Sequence, residues 1–156
     1  MGLFYFLFCW YFEYSDTSKA WFIFWMLFLP GVTFPLTTSY YKNGSSYYSL
    51  RKKLSHLIVS VVIYHVSSWL FYGESYIRFS SLFAGFIGSF LYLLSIRYML
   101  KKDLSLPIIL LVSILSGLAF LPYQMIERYR MFLGLAIFIW TFVNGFVLNR
   151  EYKKSL

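Results

Sequence analysis

"FSSLFAGFIGSFLYLLSIRY", Phe79 to Tyr98, decides the fold. It carries one charge, Arg97, at its far end. A helix of about 20 residues rises about 30 Å, the thickness of a bilayer's hydrocarbon core. Ser81, Gly85 and Ser89 recur every fourth residue, and Ala84 and Gly88 form a second row beside them. Small side chains on one face let helix backbones approach closely where lipid supplies no hydrophobic drive. Ser81, Ala84, Gly85, Gly88 and Ser89 are therefore expected to form a helix-packing face. The same surface would suit a dimer seam or a sliding contact in a transporter.

Similar runs lie on both sides. Leu54 to Tyr72, Leu104 to Pro122 and Met131 to Leu148 are each long enough to cross. Upstream, Lys19 to Tyr41 is also long enough, but Pro30, Gly31 and Pro35 interrupt it, which predicts a kink or unwinding there. The pattern describes an all-α integral membrane protein of about five transmembrane helices in a compact bundle, spanning 19–41, 54–72, 79–100, 104–122 and 131–148. Residues 1–156 form a single membrane-embedded domain. Leu3 to Phe12 is too short for an ordinary crossing and reads as an interfacial or re-entrant segment. Composition agrees: 60% of residues are hydrophobic and 13% charged, too apolar for a soluble domain with one core.

Charge supplies an orientation. With the loop after the first span in the cytoplasm, that side collects ten basic residues: Lys42, Arg51, Lys52, Lys53, Arg97, Lys101, Lys102, Arg150, Lys153 and Lys154. Lys19, Arg78, Arg128 and Arg130 fall on the other side, with four of the six acids, so the whole net charge of +8 belongs to one face. Basic residues in short loops resist translocation, which puts the C-terminus in the cytoplasm. Lys42, Arg51, Lys52, Lys53, Lys101 and Lys102 are expected to contact anionic lipids of that leaflet. The short loops favour a bacterial inner membrane, whereas the terminal "KKSL" resembles a dilysine retrieval signal of the endoplasmic reticulum.

Polar groups at membrane depth are few. His65 lies within "SVVIYHVSSWLFYG", and antiparallel neighbours place Ser89 and Ser116, with Thr141 a little deeper, at similar height. These four form the candidate intramembrane polar site. Asn144 matches the depth of Ser60 or Tyr64 instead. His56 is nine residues from His65, on the opposite helix face, where snorkelling to water beside Lys52 and Lys53 is the expectation. No span contains Asp or Glu, whereas proton relays usually keep carboxylates in the membrane. A neutral, hydrogen-bonded His65 is expected on that ground.

Catalytic signatures are missing. There is no H-E-x-x-H, no G-x-S-x-G and no Gly-rich phosphate loop, so no catalytic residue, metal or cofactor is expected. The single cysteine, Cys9, excludes an intrachain disulfide and a multi-cysteine zinc site. The basic residues are too dispersed to argue for nucleic acid. The sequence therefore reads as a noncatalytic accessory or scaffold subunit of a membrane complex, partnered by lipid and by another membrane protein or a second copy. The alternative is a small-solute transporter or channel subunit, with an intramembrane enzyme third.

Overall fold

Leu50, Leu54, Ile58, Val62, Val66 and Trp69 stand exposed along one side of a single helix, whose opposite side buries His56, Ser60 and Ser67. A soluble helix has the reverse polarity. The computed structural model describes residues 2–14, 30–42, 45–46, 48–72, 80–125 and 130–154. Within them lie α1 (Gly2–Tyr14), α2 (residues 30–38), α3 (Leu50–Tyr72), α4 (Ser80–Met99), α5 (Leu106–Leu118), α6 (Leu121–Met125) and α7 (Arg130–Lys154). A two-residue antiparallel ladder, β1 (Tyr41–Lys42) with β2 (Ser45–Ser46), precedes α3. All other regular structure among the described residues is helical.

The inverted polarity recurs. α5 exposes Leu110, Leu111, Ile114, Leu115 and Leu118 and buries Ser113, Ser116 and Gly117; α7 exposes Phe138, Phe142 and Phe146 and buries Thr141 and Asn144. Large apolar side chains cost free energy in water and none in hydrocarbon, so these surfaces suit lipid. Among the described residues, three stretches, Ser80–Met99, Leu106–Met125 and Met131–Arg150, are long and apolar enough to cross a membrane.

α4 is the central helix, packed against α3 on one side and α5 on another and touching α6 and α7. Its small residues permit this. A Cβ on Gly85 would fall 2.8 Å from the Ser116 carbonyl oxygen, and one on Gly117 would fall 2.9 Å from the Leu82 carbonyl oxygen, so the two glycines let the α4 and α5 backbones meet reciprocally. Gly88 plays the same part toward Ser67 of α3. Ser81, Ala84 and Ser89 are buried with them. One apolar cluster gathers Phe34, Tyr92, Leu93, Ile96, Leu104, Ile109 and Leu148; a second gathers Cys9, Ala84, Phe120, Leu133, Ala136 and Ile137.

Helix boundaries differ from the sequence reading in instructive ways. α5 stops at Leu118 and the chain restarts as α6, because Pro122 has no N–H for the Leu118 carbonyl and its ring would crowd that oxygen. α7 continues past Leu148 to Lys154. α1 does not stand apart: Gly2 sits against Phe138 and Thr141 while Cys9 joins Leu133, Ala136 and Ile137, so α1 lies along the first half of α7.

Residues 30–38 are helical throughout, so the chain is not unwound at Gly31 or Pro35; the turn before Pro30 lies outside the described residues. Residues 19–29 of that span lie outside the described residues. Pro35 removes the N–H that would bond the Gly31 carbonyl four residues back. Ser60 of α3 replaces it, donating from Oγ to the Gly31 oxygen at 3.0 Å. Gly31 makes this possible by bringing α2 against Val61 and Tyr64. Further along α2, the Thr37 and Thr38 hydroxyls donate to the Thr33 and Phe34 carbonyls.

Candidate functional site

Two clusters join buried polar side chains of different helices, whereas Ser67, Ser113 and Thr141 bond carbonyls of their own helices, and Ser80 Oγ and Arg97 Nη1 are buried without a hydrogen-bond partner among the described residues. Between α4, α5 and α7, Ser89 of α4 donates to Asn144 Oδ1 of α7 at 2.8 Å, and Asn144 Nδ2 donates to Ser116 Oγ of α5 at 3.0 Å. The same amide nitrogen donates to the Trp140 carbonyl of its own helix. One side chain thus ties three helices through hydrogen bonds shielded from water, where an unpaired amide would be costly.

The second cluster lies toward the start of α3 and the end of α4, near Arg51, Lys52 and Lys101. His56 is fully buried. Its Nδ1 is 3.0 Å from Tyr40 Oη, its Nε2 is 3.1 Å from Ser95 Oγ, and Tyr40 Oη also lies 3.1 Å from the Lys53 carbonyl oxygen. Ser95 Oγ donates to the Tyr92 carbonyl at 2.7 Å, and Tyr92 Oη meets Ser39 Oγ at 2.7 Å. The Tyr40 ring stands edge-on to the imidazole with centroids 5.6 Å apart. Three segments, the end of α2 with Tyr40, α3 and α4, are thereby joined through one histidine.

Lys102 closes the cluster. Two residues past the end of α4, Lys101 takes the left-handed conformation at φ 52°, which turns the chain so that Lys102 Nζ donates to the Ser39 carbonyl at 3.2 Å, just past the end of α2. A cation beside the last carbonyls of a helix is electrostatically favourable. Burial pushes the Lys102 amine down to about 7.

The residues singled out by sequence are distributed as follows. Ser89 and Ser116 come together, but through Asn144, which depth matching had assigned elsewhere. His65 is exposed beside Val66 and is not hydrogen-bonded to either serine. Thr141 donates to its own Phe138 carbonyl and faces Gly2 of α1. Among the proposed lipid contacts, Arg51, Lys52 and Lys101 are exposed, Lys53 is half-buried and Lys102 bends inward. The side chain of Lys42 lies outside the described residues. Snorkelling does not describe His56. A signal for it exists in the sequence: His56, Ser60 and Ser67 share the face opposite the stripe from Leu54 to Val66, and polar faces of membrane helices turn inward.

Beside this cluster lies a small cavity of about 20 Å³, lined by Gly31, Phe34, Ser60, Tyr64, Tyr92 and Trp140 among others. That volume holds about one water molecule. Among the described residues, no three His, Cys, Asp or Glu side chains converge as a metal site would need. No protein-family model, no curated protein and no solved structure matches this chain, so its function is argued from the geometry of these clusters.

Proposed function

We propose that the chain is a five-span membrane protein, C-terminus in the cytoplasm of a bacterium, acting as a noncatalytic accessory or scaffold subunit of a membrane complex. The observation that carries this reading is where the hydrogen-bonding capacity goes. Ser60, Ser89, Ser95, Ser116 and Asn144 are all committed to neighbouring helices or their own, which favours a rigid helical frame. The outward faces of α5 and α7, and that of α3 apart from the exposed His65, are left apolar for lipid or for a partner's transmembrane helix.

Extraction in mild detergent followed by mass spectrometry tests it: a stoichiometric membrane-protein partner, with anionic lipids retained at Arg51, Lys52 and Lys101, is expected. A second reading, a small-solute transporter, draws on the cavity beside Pro30 and Gly31, a proline–glycine pair of the kind that lines sites in broken helices. Purification without any partner, together with solute flux from the chain alone in liposomes, would replace the first reading with the second.

A further inference from the structure

We propose that Arg97, with Tyr98 and Lys101, binds the phosphate of an anionic phospholipid at the end of α4. Arg97 is the one charged residue of that helix, and it lies outside the set of lipid contacts expected from sequence. It is half-buried, and its Nη1 is enclosed without a hydrogen-bond acceptor among the described residues. Water screens most of the charge of a surface arginine. Here it cannot reach one of the two terminal nitrogens, so an anion at the open side of the guanidinium gains more than it would at a fully hydrated lysine. The fork also suits phosphate, since two of its N–H groups can bond one oxyanion side by side. Asp103 is the one acid among the described side chains; it is exposed and does not supply Nη1 with an acceptor.

The surroundings favour a phosphate carried by a lipid over one free in water. The Tyr98 ring lies against the guanidinium, with Cζ 5.7 Å from its centroid, and Tyr98 is 67% exposed. Lys101 follows just beyond the helix and is exposed as well. Aromatic rings and basic side chains are what membrane helices present at headgroup level. In the other direction along α4, Leu94, Phe90 and Phe83 stand three, seven and fourteen residues before Arg97, spacings that return to the same side of a helix. Phe83 is exposed, and Phe90 and Leu94 are half-buried. An acyl chain below the phosphate would run along this strip, whereas a free phosphate gains nothing from it. Such a site presupposes that α4 crosses a bilayer, as proposed above, and is independent of which partner or solute the chain serves.

The test uses the full chain in mild detergent, mixed with phosphatidylglycerol, phosphatidylcholine or inorganic phosphate and read by native mass spectrometry. Phosphatidylglycerol should be retained, and neither of the others should displace it at equal concentration, because choline adds a cation beside Arg97 and inorganic phosphate lacks the acyl chain. Arg97→Gln keeps a polar head and removes the charge, so affinity should fall on the order of tenfold with the helical circular dichroism unchanged. Arg150→Gln, at an exposed arginine of α7, should change it little. In the unmutated chain, phosphatidylglycerol with a photoreactive group beside its phosphate should crosslink to the peptide holding Tyr98 and Lys101, which decides the matter even where Arg97→Gln folds poorly. Equal affinity in Arg97→Gln, crosslinking confined to other peptides, displacement by inorganic phosphate, or a co-purifying protein covering that peptide in place of lipid would each overturn the proposal. Recovery of the chain in the aqueous fraction of disrupted cells would overturn the membrane reading with it, an outcome distinct from failure of this one site.

Discussion

Ser60→Ala should destabilise the protein, and Pro35→Ala should remove most of that penalty. The Gly31 carbonyl has lost its helical N–H donor to Pro35 and accepts instead from Ser60 Oγ at 3.0 Å, inside a contact where Pro35 and Ser60 are both buried. Leaving a buried carbonyl unpaired costs about 1–3 kcal/mol in proteins generally. Interhelical hydrogen bonds within membranes average closer to about 0.6 kcal/mol and reach about 1.7. The cavity of about 20 Å³ beside Gly31 and Ser60 admits one water that could replace the hydroxyl, which argues for the lower part of the range. A loss of about 1 kcal/mol is therefore expected for Ser60→Ala. Alanine at 35 restores the N–H four residues beyond Gly31, so Ser60→Ala in that background should cost about 0.3 kcal/mol or less, leaving a coupling of about 0.7. Packing lost with the proline ring appears in both backgrounds and cancels in the cycle. Reversible unfolding in mixed detergent micelles, followed by helical circular dichroism, measures all four species. Equal costs of Ser60→Ala with proline and with alanine at 35 would refute the compensation.

Three further outcomes follow from the same geometry. Lys101 holds φ 52°, a region costing a side-chain-bearing residue about 1 kcal/mol, so Lys101→Gly should stabilise the protein by roughly that amount in thermal unfolding, and a loss would show that its side chain is needed there. Lys102 is lowered to about 7 in the folded chain against 10.5 unfolded, so between these values the unfolded state binds more protons and stability should rise with pH; the rise should vanish in Lys102→Met, and equal pH profiles would contradict the burial of the amine. Gly85→Leu should lower the thermal midpoint by several degrees, because even a Cβ falls 2.8 Å from the Ser116 carbonyl oxygen; an unchanged midpoint would mean that α4 and α5 are not in contact here.

Much of this protein is legible in the order of its residues. Long apolar runs between Phe79 and Leu148 identify three helices with the length and apolarity of spans, because the bilayer sets one length and one polarity for any helix that crosses it. The periodic small residues of α4 mark its buried face, since a spacing of four returns a side chain to nearly the same side of a helix. Pairing was not legible. Depth in the membrane, counted from span ends, is one coordinate, whereas a hydrogen bond also depends on helix rotation and on which helices are neighbours. Counting from the span ends matches Ser89 and Ser116 to His65, yet rotation of α3 exposes His65, and Asn144 reaches between the two serines. His56 was placed at the surface by its nearness to Lys52 and Lys53, and only packing of α3 on α4, with Tyr40 folded over it, puts the imidazole among hydroxyls. The proline of α2 makes the same point from the backbone. Sequence shows that Pro35 frees a carbonyl, but Ser60 lies on another helix, and which donor satisfies that oxygen is decided by how α2 and α3 cross.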